Sequence, residues 1–125
     1  METVLLVFDD VNELAFFESK LSEENVAIVK SNNLAEALVL AESVNPSLVI
    51  INTPYNEDNV VEFCKQIKTS HLNNITVLSL VESENYYSSP FIDHLMVKPI
   101  RPKLLLSIVR ALMKNETVSW MPQIQ

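Results

Sequence analysis

Residues 46–55, Pro-Ser-Leu-Val-Ile-Ile-Asn-Thr-Pro-Tyr, constrain the fold more than any other stretch. Residues 47–51 are apolar almost throughout and rich in branched side chains, so a strand here offers no polar face to water. Such a strand has to be covered on both sides, as in the middle of a parallel sheet. Residues 3–8 have the same character and end on Asp9 and Asp10. Residues 26–30, 75–80 and 94–97 read as three further short strands.

Parallel strands need crossover connections, and the intervening segments have helical periodicity. Leu14, Phe17 and Leu21 recur on one face after Asn12, which is expected to cap that helix. Leu34, Leu38 and Ala41 follow the polar Ser31-Asn32-Asn33, and Asn45-Pro46 ends this second helix. Val60 or Val61, Cys64 and Ile67 mark a third over residues 57–68. Pro102 opens the last helix, whose inner face carries Leu105, Ile108, Val109 and Leu112 up to Lys114. Strands alternating with helices predict an α/β fold of the doubly wound, flavodoxin-like type, with a five-stranded parallel sheet covered on both faces.

Glycine is absent, which excludes the Gly-rich phosphate loops of dinucleotide-binding and P-loop proteins. Asparagine tolerates left-handed backbone best among residues with a side chain, so it is expected at turns where glycine is usual. A formal charge of −7 argues against direct nucleic acid binding. Cys64 is the only cysteine, no secretory signal is evident, and no apolar run reaches membrane-spanning length. The expectation is a single cytoplasmic domain of residues 3–114 with no membrane association, followed by a tail or linker over 115–125. Val118, Trp120, Met121 and Ile124 give that tail some docking capacity, although a frayed terminus is the simpler reading.

In that fold the chain delivers Asp9 and Asp10, Asn52 and Lys98 to the carboxyl edge of the sheet, where α/β proteins build their sites. Four segments there resemble the receiver domain of two-component response regulators, the CheY-like family. They are residues 5–10 (Leu-Leu-Val-Phe-Asp-Asp), 46–52 (Pro-Ser-Leu-Val-Ile-Ile-Asn), 61–68 (Val-Glu-Phe-Cys-Lys-Gln-Ile-Lys) and 96–100 (Met-Val-Lys-Pro-Ile). In active members an acidic pair binds magnesium, an aspartate after the third strand accepts a phosphoryl group, and a lysine before a cis-proline pairs with the phosphate. The resemblance places the acidic pair on Asp9 and Asp10, with Phe8 and Asp9 as the alternative register, and the lysine and cis-proline on Lys98 and Pro99.

The acceptor position is Asn52, a neutral amide where phosphoryl transfer needs an anionic oxygen. Val81 stands where the family has a hydrogen-bonding serine or threonine, and Leu95 where it has an aromatic switch residue. The segment from 81 to 98 is short, so the fourth helix of the family is expected to be shortened or lost. Lys98 is expected to satisfy one of the two aspartates directly. Weak divalent binding by Asp9 and Asp10 is the alternative to a metal-free site.

These departures imply a degenerate pseudo-receiver, not an enzyme and without cofactor. It would act as a phosphorylation-independent interaction module for protein partners in two-component-type signalling or transcription control, and a homodimer is compatible. One alternative keeps phosphotransfer, with another carboxylate such as Glu57 or Asp58 as acceptor. A second is a small-molecule binder at the strand-end crevice, disfavoured because the sequence offers no glycine and no evident aromatic platform there. His71 and His94 lie outside any metal-ligand cluster, and Cys64 reads as a buried thiol. Tyr86, Tyr87 and Phe91 are expected to cover the sheet where a helix is missing, with a partner surface as the second reading.

Overall fold

A computed structural model describes residues 2–52, 57–69, 75–82 and 89–113, with the backbone alone at Glu57. Strands β1 (Glu2–Phe8), β2 (Val26–Ser31), β3 (Leu48–Asn52), β4 (Thr76–Val81) and β5 (His94–Val97) form one sheet in the order β2-β1-β3-β4-β5, every pair parallel. Helices α1 (Val11–Leu21), α2 (Leu34–Val44), α3 (Glu57–Thr69) and α4 (Pro102–Met113) cover its two faces.

Side chains alternate along a strand, so each central strand feeds both faces in turn. Val4, Leu6 and Phe8 of β1, Leu48 and Ile50 of β3, and Leu78 and Leu80 of β4 pack with Phe17 and Leu21 of α1 and with Leu105, Ile108 and Val109 of α4. Leu5 and Val7, Val49 and Ile51, and Val77 point the other way, onto Ala37 and Ala41 of α2 and Val60, Phe63, Cys64 and Ile67 of α3. All five residues of β3 are buried, as a strand without a polar face must be. Burying a Leu, Ile or Phe side chain contributes about 1.5–3 kcal/mol, so these two layers hold the domain together.

The helix ends follow local chemistry. Asn33 caps α2 by accepting from the Glu36 N–H at 2.7 Å. Asn45 closes the same helix at φ 49° and ψ 65°, the left-handed conformation expected of an asparagine doing glycine's work. The cap of α1 is Asp10 instead of Asn12, its Oδ1 accepting from the N–H groups of Asn12 at 2.8 Å and Glu13 at 3.0 Å. A carboxylate at that position also meets the positive end of the helix dipole, which an amide does less well.

Between β4 and β5 the described residues, 82 and 89–93, contain no helix. Phe91 is half-buried against the α2 and α3 side of the core, as a cover for the sheet should be. Tyr86, Tyr87, His71 and the tail from residue 114 lie outside the described residues.

At the amino edge of the sheet, Lys68 from the end of α3 pairs with Asp93 at 2.6 Å, and Asp93 also accepts from the Val77 N–H at 2.7 Å. One carboxylate thus ties α3, β4 and the entry to β5. Arg110 of α4 reaches the loop before β2 through two bonds to Glu24, at 2.6 and 2.8 Å.

Candidate functional site

Asn52 is the last residue of β3 and shares the parity of Leu48 and Ile50, which directs it toward α1. Its side chain is buried, with 3% of the residue exposed, so both ends of the amide need partners. Nδ2 donates to Glu13 Oε2 at 2.7 Å, and Oδ1 accepts from Lys98 Nζ at 2.8 Å. Reversing the amide would set its NH2 against the ammonium and its oxygen against the carboxylate, so the flanking charges fix its orientation. Lys98 continues to Glu82 Oε1 at 3.0 Å and lies 3.8 Å from Glu13 Oε2.

Local structure explains why Glu13 arrives there. Asp10 and Glu13 occupy the cap and third positions of α1, the spacing of a capping box. Glu13 gives its N–H to Asp10 but sends its carboxylate across to Asn52. Lys98 sits just beyond β5, its own N–H bonded to the Val81 carbonyl at 2.7 Å, and the bond to Pro99 is cis.

The expected pairing of Lys98 with Asp9 or Asp10 is corrected by this geometry. Among the described residues the ammonium meets Asn52, Glu82 and Glu13, while the Asp10 carboxylate is held by the α1 cap. Asp9 is exposed. Glu13 and Glu82 were not singled out in the sequence, yet both signals were present: an Asp-x-x-Glu box at the helix start, and a carboxylate directly after β4.

Magnesium would need several hard oxygen ligands converging on one point. Here the Asn52 oxygen faces an ammonium, one Asp10 oxygen takes two backbone N–H groups, and no group of three His, Cys, Asp or Glu side chains able to hold a metal occurs among the described residues. The described residues do not fit the ion.

Val81 is buried at the end of β4, in register with Val97, and brings no hydrogen-bonding group to the edge. Leu95 is half-buried and packs against the α2 and α3 core. The remaining titratable groups of note lie away from this edge. Burial pushes the Cys64 thiol up to about 12. His94 is held below the usual histidine value, first by burial, with Asp93 opposing and Lys68 reinforcing the shift. Asp58 is exposed on α3, and the Glu57 side chain lies outside the described residues.

No family model matches the chain. Curated relatives are response regulators. The chain is 28% identical over 120 residues to response regulator ArlR of Staphylococcus epidermidis RP62A, covering 93% of this chain and 54% of that protein. It is 27% identical over 118 residues to the transcriptional regulatory protein ResD of Bacillus subtilis 168, covering 91% and 49%. The chain thus spans about half the length of the curated relatives it matches. Among solved structures, the response regulator TrrA of Thermotoga maritima in complex with Mg(2+)-BeF superposes with a TM-score of 0.77 at 25% identity, covering 90% of this chain and 99% of that one. The chemotaxis protein CheY4 of Vibrio cholerae gives 0.74 at 20%, covering 90% and 98%. The fold is that of CheY-like receiver domains, and the sequence likeness is to response regulators.

Proposed function

We propose that this receiver-type domain works without phosphoryl transfer, as a protein-interaction module in two-component-type signalling. The observation that carries the reading is the double use of the Asn52 amide, which donates to Glu13 and accepts from Lys98. A receiver needs an anionic nucleophile at that point and a free ammonium to meet the incoming phosphate. Here the nucleophile is replaced and the ammonium is already held by an amide oxygen and a carboxylate. Val81 and Leu95 support the same reading, since neither can answer a phosphate with a hydrogen bond.

The domain then has one resting arrangement at its carboxyl edge, and its partners read surface. They are proteins of a signalling pathway, with a homodimer as one form of partner, and the domain has no catalysis of its own. The test is treatment with acetyl phosphate and magnesium, read by intact mass, and with beryllofluoride and magnesium, read by backbone amide shifts. The expected result is unchanged mass and unchanged shifts at residues 9–13, 52 and 98. A stoichiometric phosphoryl adduct would overturn the proposal. Peptide mapping of such an adduct would show whether Asp58 or Glu57 had accepted it.

A further inference from the structure

An open cleft of about 580 Å³ lies between α1 and the connection from β5 to α4. Its volume is within the roughly 300–1,000 Å³ typical of small-molecule sites. Phe16, Phe17, Leu80 and Ile100 supply apolar lining, and Glu13, Glu82 and Lys98 supply the charges. Phe16 is nearly half exposed, so a large aromatic surface of α1 is open at the cleft.

The charge balance selects the ligand. Two carboxylates face one ammonium, and that ammonium is spent on Asn52 and Glu82. Among the described lining residues the carboxylates therefore outnumber the ammonium by one, with Lys20 outside the lining. Glu82 is largely exposed, so its carboxylate is open to a second cation. The Phe16 ring already attracts a cation on this protein, with Lys20 Nζ lying 5.7 Å from its centroid. A cation near an aromatic face and a carboxylate gains from both.

We infer that this cleft binds a small organic cation, a guanidinium or amine head on an aryl or alkyl body. The head lies between Glu82 and Glu13 and the body lies on Phe16 and Leu80. The aromatic surface that the sequence did not reveal at the strand exits comes from the face of α1. The inference rests on the proposed unphosphorylated arrangement of Lys98 with Asn52 and Glu82.

The probe is phenethylguanidine, with hydrocinnamate and phenethyl alcohol as the anionic and neutral counterparts and guanidinium chloride as the head alone, all at matched ionic strength. Backbone amide shifts of the full chain are followed to about ten millimolar, where a fragment of this size saturates a matched site. The expected result is a saturable shift at residues 12–17, 80–82 and 98–100 with phenethylguanidine alone. Phe16→Ala abolishes it, Glu82→Gln weakens it by about three- to tenfold, and Val39→Ala on α2 leaves it unchanged. Circular dichroism establishes that each variant is folded.

Equal response to the carboxylate or the alcohol would overturn the inference, as would an equal response to guanidinium alone or no saturable shift at all. So would engagement of these residues by a basic peptide when the free small cation does not bind.

Discussion

At the scale of single residues, the identity of residue 52 sets which charges can share the carboxyl edge. Asn52→Asp would place a carboxylate at the 2.7 Å contact now made by an amide and Glu13. Like charges at that distance push one pKa up, so the change is expected to destabilise the domain by about 1 kcal/mol at neutral pH. The raised folded-state value makes the loss shrink as pH falls through the carboxylate range. Combining it with Glu13→Gln should restore stability, because the new carboxylate then meets a neutral amide at that contact and keeps Lys98 on its other side. Urea denaturation at two pH values checks this, and an Asn52→Asp protein as stable as wild type without added cation would contradict it. The aspartate alone is not expected to restore phosphate-driven switching, since Val81 and Leu95 remain. Cys64 supplies a second expectation. Its buried thiol, pushed up to about 12, should resist a thiol reagent at pH 8 until the domain unfolds. Rapid labelling of the native protein would show that α3 opens locally.

At the scale of elements, the caps and the amino-edge tie decide how well helices stay on the sheet. Asn33→Ala removes an N-cap acceptor and should destabilise by about 1 kcal/mol. Asn45→Ala forces a β-carbon without a stabilising side-chain bond into φ 49° and should lose about 1 kcal/mol, whereas Asn45→Gly should change little. Melting curves that rank alanine equal to glycine at position 45 would refute this. Asp93→Ala strands the Val77 N–H and leaves the Lys68 ammonium with the Ile75 carbonyl but no counter-charge, with an expected loss of about 1–3 kcal/mol. His94, beside this tie, adds a pH dependence. Its folded value lies below the unfolded one, so its contribution is whole above about pH 6.5 and is lost as pH falls through the folded value. His94→Gln should flatten the stability profile below pH 6.5 relative to wild type. Both asparagine positions were legible in the sequence because a cap is a local device, read from neighbours. The Lys68–Asp93 tie was not, because 25 residues separate its partners.

At the scale of the molecule, the sheet and its two apolar layers were legible for a different reason. Continuous apolar strands such as β3 admit one environment, and the helical spacing of Phe17 and Leu21 or of Leu105, Ile108 and Val109 assigns each helix an inner face. The carboxyl edge was legible in part: Asn52 and Lys98 meet, as their positions after β3 and β5 require. What composition could not convey was which of the many acidic residues would meet them. Asp9 and Asp10 were nearest in sequence to the strand end, but the N–H groups opening α1 claim Asp10, and Glu13, one helical turn later, reaches the amide. Competition between a helix end and a buried amide for the same class of acceptor is settled by geometry alone.

The amide between Glu13 and Lys98 also bears on timing. A domain that carries an aspartyl phosphate contains a timer, because a mixed anhydride hydrolyses and the lifetime of the signal is the lifetime of that bond. On the proposed reading Asn52 leaves no such bond to form or to break. The duration of any message sent through this domain would then be set outside it, by how fast the chain is made, sequestered and degraded.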